Sequence, residues 1–178
     1  MQWRLVKPIL ILPGSVLGFI PACIVWFTKD TGVAAAPIGI DQTAFWPAIL
    51  VGGIGMGLCV WTVRIFMTFG RGTPAPWDPP EKLVIRGPYR HVRNPMIIGV
   101  LLMLTAEAIL LQSWPVAMWT IVFFIGNALY FPLVEERGLE RRFGRDYRFY
   151  KAHVPRWMPR LRPWKPSNAH TITPSGRP

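Results

Sequence analysis

Acidic residues are scarce in this chain: nine Asp and Glu stand against twenty Lys and Arg, for a net charge of +11 over 178 residues. Charge of either sign is missing altogether from three long stretches, residues 8–27, 44–63 and 114–134, and a fourth, 95–112, holds only Glu107. Cysteine is nearly absent. Cys23 and Cys59 both fall inside these runs without a metal-like neighbour, which leaves them as small apolar packing residues. His91, His153 and His170 are too scattered to give zinc-ligand spacing. No internal repeat is present, so a stacked-repeat architecture is excluded.

What is there is apolar. The chain is 51% hydrophobic, and its apolar residues are bunched rather than periodic. A basic balance alone would suit nucleic acid, but this combination points to a membrane, and no nucleic-acid partner is expected. A 20-residue helix is roughly 30 Å long, the thickness of a bilayer's hydrocarbon core. Four transmembrane helices are predicted, at about 8–27, 44–63, 95–112 and 114–134. The first run can also be read as a secretory signal core, with Arg4 and Lys7 before it and Ala34-Ala35-Ala36 after it. Its apolar region is longer than such a core, which favours a span.

The remaining charges set the orientation. Arg4 and Lys7 precede the first span, while the loop near residues 28–43 carries Lys29 against Asp30 and Asp41. The next loop has Arg71, Lys82, Arg86, Arg90 and Arg93 against Asp78 and Glu81. Everything after Val134 is strongly basic. The positive-inside rule then puts both termini and the second loop in the cytoplasm. Trp26, Trp46, Trp61 and Trp114 lie near span ends, where interfacial aromatics belong.

Two polar pieces remain on the cytoplasmic side. The first, residues 68–94, opens with Gly70-Arg71-Gly72-Thr73-Pro74-Ala75-Pro76 and cannot be a regular helix. Leu83-Val84-Ile85 reads as a short extended piece and Gly87-Pro88-Tyr89 as a turn. Asn94 is an N-cap and Pro95 a first helical residue for the third span. The second piece starts at Glu135 and Glu136, directly after the last apolar run. Leu139 and Phe143 share a helix face, and Gly144 is a helix stop. Asp146 caps a second short helix carrying Tyr147 and Tyr150, which Pro155 ends. Residues 1–164 form one membrane-embedded domain, and 165–178 lack the apolar content to fold. In the second span, Gly52-Gly53-Ile54-Gly55-Met56-Gly57 has the wrong spacing for a nucleotide loop. Gly53 and Gly57 read instead as a small-residue face for close helix packing.

Ionisable groups inside or at the mouth of a membrane segment are costly and tend to be functional. Glu135 and Glu136 stand at such a mouth, on the same side as residues 87–99. A small polar cofactor fits between the two pieces, with a lipid-side opening for a hydrophobic substrate. Glu107 lies five residues before Gln112 and can face a cavity or snorkel outward. Arg64 can bind an anionic headgroup or mark the interface.

Gly87-Pro88-Tyr89-Arg90-His91-Val92-Arg93-Asn94-Pro95-Met96-Ile97-Ile98-Gly99 resembles the Gly-x-Tyr-x-x-x-Arg-His-Pro-x-Tyr-x-Gly signature of the isoprenylcysteine carboxyl methyltransferases. These are relatives of the phospholipid N-methyltransferases. Residues 135–156 are similar to that family's Glu-Glu-x-x-Leu, Phe-Gly-x-x-Tyr-x-x-Tyr and Val-Pro pattern, and the resemblance covers about residues 45–160. It implies an all-α integral membrane fold whose cytoplasmic cofactor cleft lies between the loop before the third span and short helices after the fourth. It implies S-adenosylmethionine as cofactor and methyl transfer to a lipophilic, membrane-borne acceptor. Leu83 and Val84 would line the cofactor, Tyr89 would touch it from the turn, and Asn94, Pro95, Met96 and Ile97 would occupy the signature's central segment. Glu135 matches the family's cofactor-binding glutamate. A carboxylate there can accept ribose or amino hydrogen bonds and favours a cationic sulfur.

Three positions depart from the pattern. Asn94 replaces a histidine, Ile97 replaces a tyrosine, and Phe131 stands where the prenylcysteine enzymes carry a substrate-receiving arginine. A prenylcysteine carboxylate is therefore disfavoured as substrate. Glu136 is the nearest candidate for a catalytic base toward an amine or hydroxyl acceptor, and equally an ion-pair partner for the arginines that follow it. Two rival classes remain at this level. Sterol-reductase-type membrane proteins share a similar C-terminal arrangement and use a nicotinamide cofactor. A non-enzymatic scaffold would use the basic face on anionic lipid.

Overall fold

The computed structural model describes residues 13–31, 37–70 and 83–165. Arg4 and Lys7, the Gly- and Pro-rich residues 71–82 and the tail at 166–178 lie outside the described residues. Among the described residues every regular element is helical. The four main helices are α1 (Ser15–Thr28), α2 (Phe45–Gly70), α3 (Pro95–Leu110) and α4 (Trp114–His153). α2 and α4 are long and apolar enough to cross a membrane, and α1 and α3 are shorter apolar helices. The apolar part of α4 ends at Val134, and Glu136–His153 is a charged continuation outside it.

The exterior is apolar. Leu50, Ile54 and Trp61 on α2, and Met118, Val122 and Leu129 on α4, are each more than half exposed. Such a surface suits hydrocarbon better than water.

α2 and α3 form the tightest helix pair. The buried face of α2 is built from Ala48, Gly55, Thr62 and Ile65, of which the first three stand seven residues apart. Two turns of helix separate them, so they stack on one side. A Cβ added at Gly55 would come 2.6 Å from the Gly99 carbonyl oxygen, and one at Gly99 would come 2.6 Å from Cys59 Sγ. Cys59 in turn donates to the Met96 carbonyl at 3.5 Å. Gly53 and Gly57, expected to make this contact, have nothing within 4 Å of an added Cβ. The small-residue motif is real but its register is shifted. With four glycines so close together, spacing alone did not say which face meets α3.

Pro95 opens α3 as expected and is buried. Asn94 occupies the N-cap position, but its side chain makes no capping hydrogen bond. At the other end Ser113 caps α4 by accepting from the Val116 amide. After the fourth span the helix runs on to Gly144, whose φ of +52° and ψ of −120° break it as expected of a glycine stop, and a second short helix carrying Tyr147 and Tyr150 follows to His153. Glycine is also required at position 87. It starts a 3-10 turn, Gly87–Arg90, at φ +53°, and a Cβ there would lie 2.6 Å from Ile65 Cδ1 on α2.

Candidate functional site

Residues 83–94 and the C-terminal piece are tied together by a series of specific bonds. The Tyr150 hydroxyl donates to the Tyr89 carbonyl at 2.8 Å. The Arg93 amide donates to the Pro155 carbonyl, the Arg160 amide to that of His91, and the Trp164 amide to that of Arg90, all at 2.9–3.0 Å. Beneath them Tyr147, Tyr150 and Val154 form a buried apolar cluster, against which Leu83, Ile85, Leu139, Phe143 and Trp164 pack. The two pieces that the sequence placed on one side of the membrane are therefore one packed unit.

A cavity of about 590 Å³ opens between this unit and the helices. That is within the size range of small-molecule sites. Of the residues expected at a cofactor, Leu83, Val84, Tyr89 and Asn94 line it, and so do Met96, Ile97 and Glu135. Pro95 does not; it is buried at the start of α3. Reading the sequence left several wall residues unassigned. Phe66 of α2 packs beside Tyr89 with ring centres 5.2 Å apart, Val16 of α1 adds an apolar contact, and Arg142 and Asn127 of α4 add polar groups. Arg142 was legible in principle, since it stands seven residues after Glu135 and so on the same helix face.

The wall has a shared backbone feature. Ser15–Phe19, Phe66–Gly70 and Phe131–Glu135 are single π turns within the helices. Each contributes to the cavity, through Val16, through Phe66, and through Phe131 and Glu135. A π turn is uncommon and tends to occur at functional sites, because it breaks the regular ladder and re-aims side chains. In α1 the turn is fastened to α4, where the Trp119 indole donates to the Val16 carbonyl at 3.2 Å.

The adjacent carboxylates have separate environments. Glu136 is buried and takes no part in the cavity wall. Its Oε1 accepts from Arg93 and from Arg156 at 2.7 Å each, and its Oε2 lies 3.1 Å from Lys151 Nζ. Burial works against its charge, but the bonds from Arg156 and Lys151 and the charge of Arg93 outweigh it and hold the carboxyl below its ordinary range. Glu135 lines the cavity and is exposed there, in contrast to its buried neighbour. Burial, and secondarily the charge of Glu136, push its carboxyl up to about 7. Burial foremost, then Tyr150 and Glu135, also holds the Tyr89 hydroxyl protonated, well above the usual phenol range. Asn94 Nδ2 is buried with no acceptor among the described residues. An orphaned donor beside a cavity is a costly arrangement that a ligand would relieve.

The fold, the paired motifs and the cavity agree with a comparison by family. The chain belongs to the phospholipid methyltransferase family, whose model matches residues 43–146, more than half of its length. That stretch runs from α2 through Glu135 and Glu136 to just before Tyr147. No curated protein and no solved structure matches the chain.

Proposed function

We propose that this protein transfers a methyl group from S-adenosylmethionine to a lipophilic acceptor delivered from the bilayer. The observation that carries this reading is the convergence on one cavity of Leu83, Val84, Tyr89, Asn94, Met96, Ile97 and Glu135, which the sequence resemblance had named as cofactor contacts. The donor set suits the cofactor. Glu135 offers a carboxylate to a cationic ligand with hydroxyl and amino groups, Asn94 has an uncommitted amide donor, and Leu83 and Val84 present an apolar wall. When bound, the cofactor supplies an electrophilic methyl carried on a positively charged sulfur. Val16, Val100 and Phe123 line the part of the cavity made by apolar helices, which suits a lipid-borne acceptor. We place four spans in the membrane, with the cleft and both termini on the cytoplasmic side, from the charge asymmetry of the loops.

The chain's own contribution is alignment and exclusion of water. Tyr150 holds the Tyr89 carbonyl, and thereby the turn that presents Tyr89 to the cavity. Glu136 has its oxygens committed to Arg93, Arg156 and Lys151, so its task is to clamp the two motifs together rather than to take a proton. Among the described wall residues Glu135 is the carboxylate available to receive a proton from an amine or hydroxyl acceptor. A carboxylate acceptor would need no base.

Thermal unfolding of the purified protein in detergent tests the cofactor. S-adenosylhomocysteine should raise Tm, and reduced nicotinamide adenine dinucleotide phosphate should not; the reverse would establish the reductase reading instead. Transfer of a labelled methyl group into a membrane lipid extract tests the reaction.

A further inference from the structure

Three charged side chains line the described part of the cavity: Arg93, Glu135 and Arg142. Arg93 is largely buried and its Nη1 is paired with Glu136 Oε1 at 2.7 Å, although its Nε has no partner among the described residues. Glu135 and Arg142 form no ion pair among the described residues. Among the described residues the Arg142 guanidinium lies near the Phe143 ring, but at a distant 5.8 Å from its centre. Glu135 and Arg142 stand two helical turns apart on one face of α4, about 10 Å along its axis. Gly138 lies on the wall between them, and a Cβ added there would meet nothing within 4 Å. The wall thus carries a negative and a positive group with open space in between.

We propose that Arg142 is a specificity-determining residue of this site, receiving an oxyanion on the head of the acceptor lipid while Glu135 faces the cofactor's cationic end. This rests on the methyltransferase reading above. Arginine suits the task because its planar fork can bind a phosphate or carboxylate through two parallel hydrogen bonds. The assignment also accounts for the Phe131 position. With no arginine one turn before Glu135, the exposed cation that the wall offers is Arg142, while the buried Arg93 is paired with Glu136.

The same oxyanion chemistry is carried by the cofactor's own carboxylate, and the experiment separates the two. Wild type, Arg142→Gln and Arg142→Lys would be purified in neutral detergent, and binding of dioctanoyl phosphatidic acid and of dioctanoylglycerol followed by intrinsic tryptophan fluorescence. Arg142 is exposed, so all three proteins should fold alike. Wild type should bind the phosphatidic acid at least tenfold more tightly than the glycerol. Arg142→Gln should lose that preference, and Arg142→Lys, which keeps the charge without the fork, should keep only part of it. The stabilisation by S-adenosylhomocysteine should be the same in all three. An unchanged preference in Arg142→Gln, or none in wild type, overturns the proposal. So does a loss of S-adenosylhomocysteine stabilisation confined to Arg142→Gln, which would assign Arg142 to the cofactor. Absence of that stabilisation in every protein, with the lipid preference intact, would refute the cofactor reading and leave an anion-binding Arg142.

Discussion

Tyr150 lies sixty-one residues from Tyr89 in sequence, yet its hydroxyl is bonded to the Tyr89 carbonyl at 2.8 Å in a buried setting. Removing it leaves a buried carbonyl without a partner, which typically costs about 1–3 kcal/mol. Tyr150→Phe should lower stability by that amount in denaturant unfolding. It should also weaken S-adenosylhomocysteine binding several-fold, because the turn bearing Tyr89 loses its fastening. Retention of full affinity would separate the bond from the site.

Glu135 and Glu136 should fail in different ways. Glu136→Gln breaks a buried ionic cluster and leaves Arg93 under-compensated, a change that typically costs about 3–5 kcal/mol. Its signature is a lower midpoint of unfolding in the absence of any ligand. Glu135→Gln should leave that midpoint within about 0.5 kcal/mol, as for a substitution outside a packed network. Cofactor affinity should instead fall at least tenfold, read by titration calorimetry.

Acidity should act on both carboxylates, with different readouts. The Glu136 carboxyl is held below its ordinary range, so its contribution to stability is complete above that range and is lost as pH falls through its lowered value. Acid unfolding should be blunted in Glu136→Gln. The Glu135 carboxyl, at about 7, is charged only above neutrality. Affinity for a cationic ligand should therefore decline as pH drops from 8 to 6 in wild type, and Glu135→Gln should flatten that profile.

The α2–α3 contact makes a contrast within one glycine cluster. Gly99→Ala forces a Cβ to 2.6 Å from Cys59 Sγ and 2.7 Å from the Gly55 carbonyl oxygen, and should cost about 1–3 kcal/mol. Gly53→Ala meets nothing and should be neutral or slightly stabilising through its better helix propensity. Equal effects from the two would contradict the register described here.

The helices were legible because long uncharged runs carry their own signal, and α2 to α4 begin close to where those runs do. The site was half legible. Glu135 and Tyr89 could be named because they sit in spaced motifs, and Leu83 because it lies just ahead of one. The division of labour between Glu135 and Glu136 could not, because it depends on which way each points after the π turn at Phe131–Glu135. Val16 and Phe66 were hidden for another reason: they carry no polar signal and reach the cavity through helix packing alone. The glycine register failed for lack of discriminating side chains around it.

In an i→i+5 turn one more residue is gathered than in the α turn it replaces. Each residue of helix turns the chain by about 100°. The π turn at Phe131–Glu135 thus acts as a gearing between the greasy half of α4 and its charged half. A chain one residue shorter at that point would keep its hydropathy, its charge and both signature motifs. Its charged half would nonetheless be rotated by about a quarter turn, carrying Glu136 out of its ring of cations and Glu135 off the wall. The length of that turn sets which of the two carboxylates faces the cavity.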